Sequence, residues 1–296
     1  MQDRELLPAS TEQYTEACRW HKANNRDLGA IETFLRVHEP FLVAAASRFI
    51  TYTQTGAPPG ELLICQNADN TIQSFVFRSG AILHPFFHGC SSERAEKIIC
   101  RMLKQQFFKK IYSVQGLTED VRIAERALKS SGYSMRDSFD YYLMNLTETV
   151  RLPLKPDGLE LVVNPTLEAL YQLQAAYEQE EVIPSHGSFS EKHCRQGVER
   201  ILREELLVYG EYQGLPAAKA NTNAASYRYR QIGGVYVRPD LRGLGIGTYV
   251  VAALVERIQQ TGAAVSLFVK KRNQSAIKVY EKLGFKTIGE YRISYY

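Results

Sequence analysis

A glycine-rich segment, RGLGIG, constrains the second half of this 296-residue chain more than any other stretch. It runs from Arg242 to Gly247, between a strand-like run from Ile232 to Val237 and an apolar run with helical spacing from Tyr249 to Ile258. The order strand, tight turn and helix places backbone N–H groups at a helix N-terminus, where the helix dipole favours negative charge. Three glycines in five positions let those groups come together without Cβ atoms between them. The sequence therefore predicts a site for an anion such as a diphosphate.

The spacing of these glycines excludes two familiar nucleotide-binding motifs. It is not G-x-G-x-x-G, and no acidic residue follows a second strand at the distance used for a ribose. No Gly-Lys-Ser/Thr follows either, which excludes a nucleoside-triphosphate loop. Taken alone, the segment also fits a tight turn that binds nothing, so the interpretation depends on the residues that follow.

A second motif lies downstream of the glycines. After a strand-like run from Ala264 to Val269, the residues from Asn273 to Phe285 read N-x-x-A-x-x-x-Y-x-x-x-G-F. The two motifs together, in this order and at this separation, resemble the GNAT (Gcn5-related) N-acetyltransferases. The resemblance covers the second half of the chain. It implies a mixed sheet that binds acetyl-CoA and an enzyme that transfers the acetyl group directly to an amine.

The resemblance assigns the acetyl-CoA contacts to three segments. The glycine-rich loop holds the CoA pyrophosphate through backbone amides, and the hydroxyl of Thr248 follows it in the first helical turn. The Gly233-Gly234 pair marks a bulge or a close approach in the preceding strand. By the resemblance that strand splays from its neighbour and its backbone binds the pantetheine arm; a bulge without a ligand is the alternative. The predicted cofactor-binding residues are Val235, Tyr236, Val237, Arg242, Gly243, Leu244, Gly245, Ile246, Gly247, Thr248 and Asn273.

The second motif supplies a candidate catalytic acid. Asn273 has the right chemistry to cap the helix that follows it, and by the resemblance it also lies near the CoA arm; capping alone is the alternative. Tyr280 follows seven residues later, two turns along the same face. The resemblance makes Tyr280 the general acid that protonates the CoA thiolate. A core aromatic residue with its hydroxyl at the rim is the competing interpretation.

The general base is less well defined by the sequence. In this family the end of the first helix and the loop after it cover the acceptor site. Here that region contains Glu178, Glu180, Glu181 and His186. Glu181 is the first choice, because the Val-Ile-Pro segment after it can turn its side chain inward. Glu211 is the second choice, and a solvated surface charge is the alternative for each of them.

Basic residues at two further places are candidates for contacts with the substrates. Lys270, Lys271 and Arg272 lie where the 3′-phosphate end of CoA is expected, although surface charges have the same pattern. Lys219 stands among alanines in a strand-like run, and burying a lysine is costly unless it is paired. We expect Lys219 to contact the acceptor or a carboxylate, or else to face solvent.

The order of predicted elements in the first half repeats that of the second. We therefore predict an α+β fold with a mixed sheet, built from two tandem GNAT-like acyl-CoA N-acyltransferase domains. A linker near Pro153 and Pro156 divides residues 1–150, a degenerate copy, from residues 151–296, the catalytic copy. The first half has no R-x-x-G-x-G, and Leu128 stands where the second half has Tyr280. This predicts that the first half has lost cofactor binding; an unrelated α+β domain is the alternative.

Composition limits the other possibilities. The net charge is only +4 and the basic residues form no stripe, which disfavours nucleic acid as a partner. The five cysteines are odd in number and show no C-x-x-C, which predicts reduced thiols and no metal site. Without a signal segment or a membrane-spanning run, a cytoplasmic location is expected. The acceptor is expected to be a small-molecule or peptide amine. A non-catalytic acetyl-CoA sensor, a longer acyl-CoA and any oligomeric state stay open.

Overall fold

The computed structural model describes residues 19–55, 61–104, 111–184 and 187–296. By its internal contacts the chain forms two compact units. The first takes the chain up to Tyr142 together with Ile288–Tyr296, and the second takes Leu143–Thr287. His186, one of the candidate bases, lies outside the described residues.

The first half of the chain contains one strand, two helices, three strands and then two more helices that alternate with strands. A short 3-10 turn, Asn25–Asp27, precedes the first helix. In chain order the elements are β1 (Arg19–Lys22), α1 (Leu28–Val37), α2 (Glu39–Gln54), β2 (Glu61–Gln66), β3 (Ile72–Ser79), β4 (Ile82–Phe87), α3 (Ser92–Lys104), β5 (Ser113–Leu117), α4 (Thr118–Ser130) and β6 (Asp137–Leu146).

The second half repeats this order element for element. The elements are β7 (Leu159–Val162), α5 (Leu167–Tyr177), α6 (Glu191–Glu204), β8 (Leu207–Tyr212), β9 (Leu215–Ala225), β10 (Tyr229–Val237), α7 (Ile246–Gln260), β11 (Ala264–Lys270), α8 (Gln274–Lys282) and β12 (Lys286–Tyr295). A π-helical turn, Glu178–Val182, continues α5, and a 3-10 turn, Pro239–Leu241, precedes the glycine-rich loop. The shared order confirms the predicted tandem repeat of a mixed fold.

Each unit contains a mixed sheet, and the strands that end the two halves are exchanged. In the first unit the strand order is β1-β2-β3-β4-β5-β12, with β4 and β5 parallel. There β12 pairs antiparallel with β5, from Tyr291 opposite Leu117 to Tyr295 opposite Ser113. In the second unit, which includes β6 from Leu143 onward, the order is β6-β11-β10-β9-β8-β7, with β10 and β11 parallel. The assignment of residues 1–150 and 151–296 to a degenerate and a catalytic domain stays a prediction.

The predicted anion site lies at the N-terminus of helix α7, and the burial of this helix holds that end in place. Its sequence is apolar on nearly all sides, and a helix of that kind lies inside a protein rather than on its surface. The side chains that are 0 % exposed are Val250, Val251, Ala252, Leu254, Val255 and Ile258. Since these contacts hold the helix, the backbone N–H groups of its first turn have a defined direction.

The cysteines correct one expectation from the sequence. Among the described residues Cys90, Cys100 and Cys194 carry free thiols. Cys65, in the buried strand β2, is disulfide-bonded, so the prediction of reduced thiols is wrong at this position. Spacing along the sequence did not reveal this bond, because a disulfide depends on which residues the fold brings together.

Asp120 lies buried in the first turn of α4, in the first unit. Its Oδ1 accepts a hydrogen bond from the backbone N–H of Phe87 at 3.2 Å. Burial raises the pKa of this carboxyl from 3.8 to about 7, against the opposing effect of that bond. Between these two values the folded chain holds a proton that the unfolded chain releases. The free energy of unfolding therefore falls as the pH rises from about 4 to about 7.

We expect Asp120→Asn to raise the free energy of unfolding at pH 8 by on the order of 2 kcal/mol, because the amide keeps an acceptor oxygen and carries no charge. Near pH 4 the variant and the parent chain should be alike. Glu93→Gln, at an exposed acid in the first turn of α3, is the matched control. Urea unfolding at both pH values measures the difference, and an Asp120→Asn chain that is less stable at pH 8 would contradict the assignment.

Candidate functional site

The strands β10 and β11 separate halfway along their length. Their parallel pairing runs from Tyr229 opposite Ala264 to Ile232 opposite Leu267. Both strands continue beyond that point, β10 to Val237 and β11 to Lys270. The part of β10 from Gly233 onward is therefore open on the side of β11. The splayed strand that the family resemblance implies is present in the second unit.

A bulge in β10 lies at the point of separation. On the other side, toward β9, the register jumps between Gly233 opposite Asn221 and Tyr236 opposite Lys219. A Cβ on Gly233 would lie 2.1 Å from the side-chain nitrogen of Asn223, so a larger residue there would have to displace that side chain. A Cβ on Gly234 would lie 2.5 Å from the side-chain oxygen of Asn221, and Gly234 also has φ +60°. The predicted bulge is confirmed, and side chains of β9 explain both glycines.

The glycine-rich loop turns the chain from β10 into α7. Gly243 and Gly245 have φ of +85° and +79°, in the left-handed region that other residues avoid. Gly245 is the N-cap of α7, which begins at Ile246. At Gly247 the reason for glycine is space, since a Cβ would lie 3.3 Å from Cγ2 of Val237. The loop therefore leaves the first N–H groups of a long helix without side chains in front of them.

The loop, the open part of β10 and the helix α8 line one pocket of about 790 Å³ within the second unit. Its volume falls in the range of sites for sizeable ligands. The pocket is lined by Glu180, Glu181, Val235, Tyr236, Val237, Leu241, Arg242, Gly243, Gly245, Gly247, Thr248, Arg272, Asn273, Ser275, Ala276, Lys278, Val279, Tyr280 and Lys282. Both predicted catalytic residues and most predicted cofactor contacts therefore lie around the same space.

Two predicted contacts have side chains that point elsewhere. The side chain of Leu244 is 52 % exposed, and that of Ile246 is 1 % exposed in the core. Neither belongs to the pocket lining. Loop residues are predicted to act through backbone amides, so these two positions stay predictions for the backbone alone. Among the alternative bases Glu180 lines the pocket, whereas Glu178 and Glu211 do not.

The π-helical turn after α5 is tied to both walls of the pocket. Nη2 of Arg242 in the glycine-rich loop donates to Oε2 of Glu180 at 2.7 Å. This bond to Arg242 lowers the pKa of Glu180 and outweighs partial burial. On the other wall Nζ of Lys270 donates to the carbonyl oxygen of Glu181 and, at 3.0 Å, to its Oε2. The amide of Asn273 is 3.4 Å from Oε1 of Glu181.

Asn273 and Tyr280 lie on α8 as the spacing predicts. The side-chain oxygen of Asn273 accepts the N–H of Ala276 at 3.1 Å, which confirms the cap. Tyr280 is 7 % exposed, and its ring packs edge-on against Phe285 with centroids 5.7 Å apart. Burial raises the pKa of the Tyr280 hydroxyl, and the nearby Tyr177 and Glu181 raise it further. The phenol therefore keeps its proton and is available as a donor to the pocket.

Sequence reasoning missed several residues of α8. Ser275, Lys278 and Lys282 line the pocket beside Tyr280. Their spacing of three and four residues places them on adjacent positions of one helical face. Lys278 and Lys282 lie two residues to either side of Tyr280, and such positions do not share a helical face, so the motif gave no signal for them. The ion pair between Arg242 and Glu180 had no signal in the sequence, because it joins residues 62 positions apart.

Lys219 is buried next to the bulge, with 0 % of its surface exposed. Burial lowers the pKa of its ammonium group from 10.5 to about 7, while Glu178 and Cys194 act in the opposite direction. Burial also raises the pKa of the Cys194 thiol to about 12, so this thiol stays protonated at neutral pH. The expectation that Lys219 faces solvent is thereby excluded.

The depressed pKa of Lys219 has a consequence for stability. Below pH 7 Lys219 is charged in the folded chain, and burying that charge lowers the free energy of unfolding. Between about pH 7 and 10.5 the unfolded chain binds a proton that the folded chain lacks. The free energy of unfolding relative to Lys219→Met should therefore rise by on the order of 2 kcal/mol from pH 7 to pH 9.5. Lys155→Met, at an exposed lysine, controls for general titration. Guanidinium unfolding of the three chains measures the change, and a pH-independent difference would contradict it.

In the first unit β4 and β5 stay side by side past their last paired residues, since a Cβ on Gly116 of β5 would lie 3.1 Å from the carbonyl oxygen of Pro85 in β4. The pairing of β4 with β5 ends at Leu83 opposite Val114, although β4 continues to Phe87. Beyond the paired residues the N–H of Phe87 is occupied by the carboxyl group of Asp120. No R-x-x-G-x-G precedes α3, and Leu128, which the repeat aligns with Tyr280, is a core side chain with 0 % exposure.

Comparisons with known proteins agree with this architecture. Residues 208–293 match the sequence model of the FR47-like protein family. Over 82 residues the chain is 34% identical to an uncharacterized N-acetyltransferase of Methanocaldococcus jannaschii, a match that covers 27% of this chain and only 36% of that relative.

Two solved structures are similar in fold over nearly the whole chain. One is a GCN5-related N-acetyltransferase from Sphaerobacter thermophilus, with a TM-score of 0.59, 16% identity and 95% of both chains covered. The other is a tandem GNAT protein from the clavulanic acid biosynthesis pathway, with a TM-score of 0.57, 14% identity and coverage of 94% of this chain and 97% of that chain. At these identities the likeness shows the fold.

Proposed function

We propose that this chain, a tandem member of the GNAT N-acetyltransferase family, uses its second unit to transfer an acetyl group from acetyl-CoA directly to an amine. One observation carries the proposal. A single pocket joins the N-terminus of α7, the open backbone of β10 and the buried phenol of Tyr280. These are an anion site, a set of backbone hydrogen-bonding groups and a proton donor, which are the three parts that a CoA thioester needs.

The proposed binding mode follows the length of the pocket. The pyrophosphate lies on the amides from Gly243 to Gly247, where the helix dipole favours its charge. The pantetheine arm runs along the open edge of β10, beside Val235 and Val237. The ammonium groups of Lys278 and Lys282 complement the charge of the CoA phosphates from the wall formed by α8.

The reaction then needs two proton transfers. The amine nitrogen attacks the thioester carbon, a tetrahedral oxyanion forms, and the C–S bond breaks as the carbonyl returns. In this proposal Glu181 accepts the proton of the amine, directly or through water, and Tyr280 gives its proton to the departing thiolate. None of these steps is routed through a metal. Within the described residues no cluster of metal-ligating side chains occurs.

The acceptor in this proposal is an amine of a small molecule or of a peptide, and acetyl-CoA as the donor implies a cytoplasmic site of action. No helix among the described residues is long and apolar enough to cross a membrane. We further propose that the first half no longer binds the cofactor, since the N–H of Phe87 at the end of β4 is bonded to Asp120 and the segment before α3 lacks the glycines.

Titration calorimetry of the full chain with acetyl-CoA and with CoA tests the cofactor, and release of free thiol in the presence of a panel of amines tests the chemistry. We expect one acetyl-CoA per chain and thiol release with at least one amine. A chain that binds neither compound would overturn the proposal. Tight binding without turnover on any amine would favour the alternative of an acetyl-CoA sensor, and tighter binding of a longer acyl-CoA would correct the donor.

A further inference from the structure

We infer that Lys219 is a positioning residue of the transfer site: it holds the Gly234–Val235 peptide so that the Val235 N–H faces the opening beside β10 and donates to the thioester oxygen. The inference rests on the proposed function, because it assigns a task to that same site. Lys219 lies on β9, outside the three segments to which the sequence analysis assigned the acetyl-CoA contacts.

The contacts of Lys219 point to this task. Its Nζ donates to the carbonyl oxygen of Gly234 at 2.6 Å and to the side-chain oxygen of Asn221 at 2.8 Å. The same nitrogen lies 4.9 Å from the ring centroid of Tyr177. A buried amine is thus directed at one backbone carbonyl, and that carbonyl belongs to the bulge.

The bulge explains why a side chain is needed at this carbonyl. Between the pairs Gly233–Asn221 and Tyr236–Lys219, two residues of β10 stand opposite one residue of β9. In such a bulge the ladder is interrupted and the extra residue is left unpaired. A buried carbonyl without a partner is costly, and the amino group of Lys219 supplies the partner.

The direction of the neighbouring N–H follows from the geometry of the peptide. The described chain contains no cis peptide bond, and in a planar trans peptide the C=O and the next N–H point in opposite directions. The carbonyl of Gly234 points toward Lys219 on β9. The N–H of Val235 therefore points away from that amine, at a place where β10 no longer pairs with β11, since their pairing ends at Ile232. Val235 lines the pocket at that place.

This arrangement suits the charge that develops during acyl transfer. Preorganised N–H groups that face a forming oxyanion stabilise the transition state more than the ground state. A donor on the carbonyl of the same peptide polarises that peptide and strengthens its N–H as a donor. Lys219 acts through the peptide and does not itself touch the substrate.

Gly234 also contributes to the contact between Lys219 and the bulge. A Cβ at Gly234 would lie 2.7 Å from Nζ of Lys219. Any larger residue at Gly234 would therefore displace the amine from the carbonyl, in addition to the backbone strain at φ +60°.

The test compares Lys219→Met with the parent chain by kinetics and by infrared spectroscopy of bound acetyl-CoA labelled with ¹³C at the thioester carbonyl. We expect kcat to fall by about 10- to 100-fold with the KM for acetyl-CoA changed less than about threefold. In the parent chain the carbonyl band should shift to lower frequency on binding, and in Lys219→Met this shift should shrink. Lys219→Gln, which keeps a neutral donor, should be intermediate in both readouts.

The controls separate this role from simple destabilisation. Ile99→Ala removes buried methyl groups from α3 in the first unit and matches a loss of stability in a core cluster that contains no residue of the bulge. It should leave the carbonyl band unchanged. If the parent chain turns over but Lys219→Met and Lys219→Gln keep both kcat and the band shift, the inference is overturned while the proposed function stands. If the parent chain does not bind acetyl-CoA, the proposed function itself fails. Should Lys219→Met not fold, Lys219→Gln alone decides.

Discussion

Replacing Tyr280 with phenylalanine is expected to lower kcat for acetyl transfer by about 10²- to 10⁴-fold, the range that general acid catalysis contributes. The affinity for acetyl-CoA should change by less than about threefold, because the ring stays and only the hydroxyl is lost. The ring of phenylalanine keeps the edge-on packing against Phe285 and the burial that hold α8 in place. A loss of kcat without a loss of binding is the signature of a group that acts only in the transition state.

The environment of Tyr280 supports a donor rather than a nucleophile or base. Because burial raises the pKa of its hydroxyl, the proton is present throughout the neutral and mildly alkaline range. Ionisation of Tyr280 itself should therefore produce no fall in activity on the alkaline side of the profile. The departing sulfur becomes more basic as the C–S bond breaks, and it accepts the proton of Tyr280 at that stage.

Steady-state rates and calorimetry on the same preparations measure these effects. Tyr249→Phe is the matched control, since Tyr249 is also a buried tyrosine, 8 % exposed, on the neighbouring helix α7 and outside the pocket lining. It should keep kcat within about twofold of the parent chain. A Tyr280→Phe chain with undiminished kcat would exclude the acid role and leave Tyr280 as a core aromatic residue.

Gly245→Val is expected to weaken the binding of acetyl-CoA by about 100-fold. Gly245 has φ +79°, a conformation that costs a residue with a side chain roughly 1–2 kcal/mol, and more for one branched at Cβ. The loop would therefore adopt another conformation and turn its N–H groups away from the pyrophosphate. Each hydrogen bond to a charged group contributes about 1.5–3 kcal/mol, so the loss of one or two accounts for the expected factor.

Gly262 offers an unusually close control for this substitution. It lies in the turn after α7 with φ +78°, and a Cβ added there would meet no other atom within 4 Å, so valine encounters the same backbone strain. Gly262→Val should lose a similar amount of stability and keep its affinity for acetyl-CoA. Thermal unfolding and calorimetry of both variants test this. Equal loss of affinity in the two chains would mean that stability, and not the loop, controls binding.

The parts of the site that sequence predicted are those encoded within short segments. A tight glycine-rich turn at a helix N-terminus, an asparagine cap and a tyrosine two turns later are all local patterns, and each was found where expected. Lys278 and Lys282 line the pocket from other positions of α8, two residues to either side of Tyr280, which the spacing of the motif does not indicate.

The parts that were missed depend on contacts between distant segments. No sequence pattern predicts such contacts. Examples are the bond from Arg242 to Glu180, the two contacts of Lys270 with Glu181 and the disulfide at Cys65. The same holds for the strand exchange. A repeat predicts that each half ends in a strand, but it does not say into which sheet that strand goes.

By itself the sequence determined a tandem α+β fold and the local geometry at the start of α7 and along α8, because backbone conformation and helix spacing are properties of neighbouring residues. Only the tertiary structure decided that β12 completes the first unit and that Lys219 lies buried against Gly234. Both depend on which surfaces and hydrogen-bonding groups remain unsatisfied once the strands have paired. These pairings depend on the whole chain, so no short segment of the sequence predicts them.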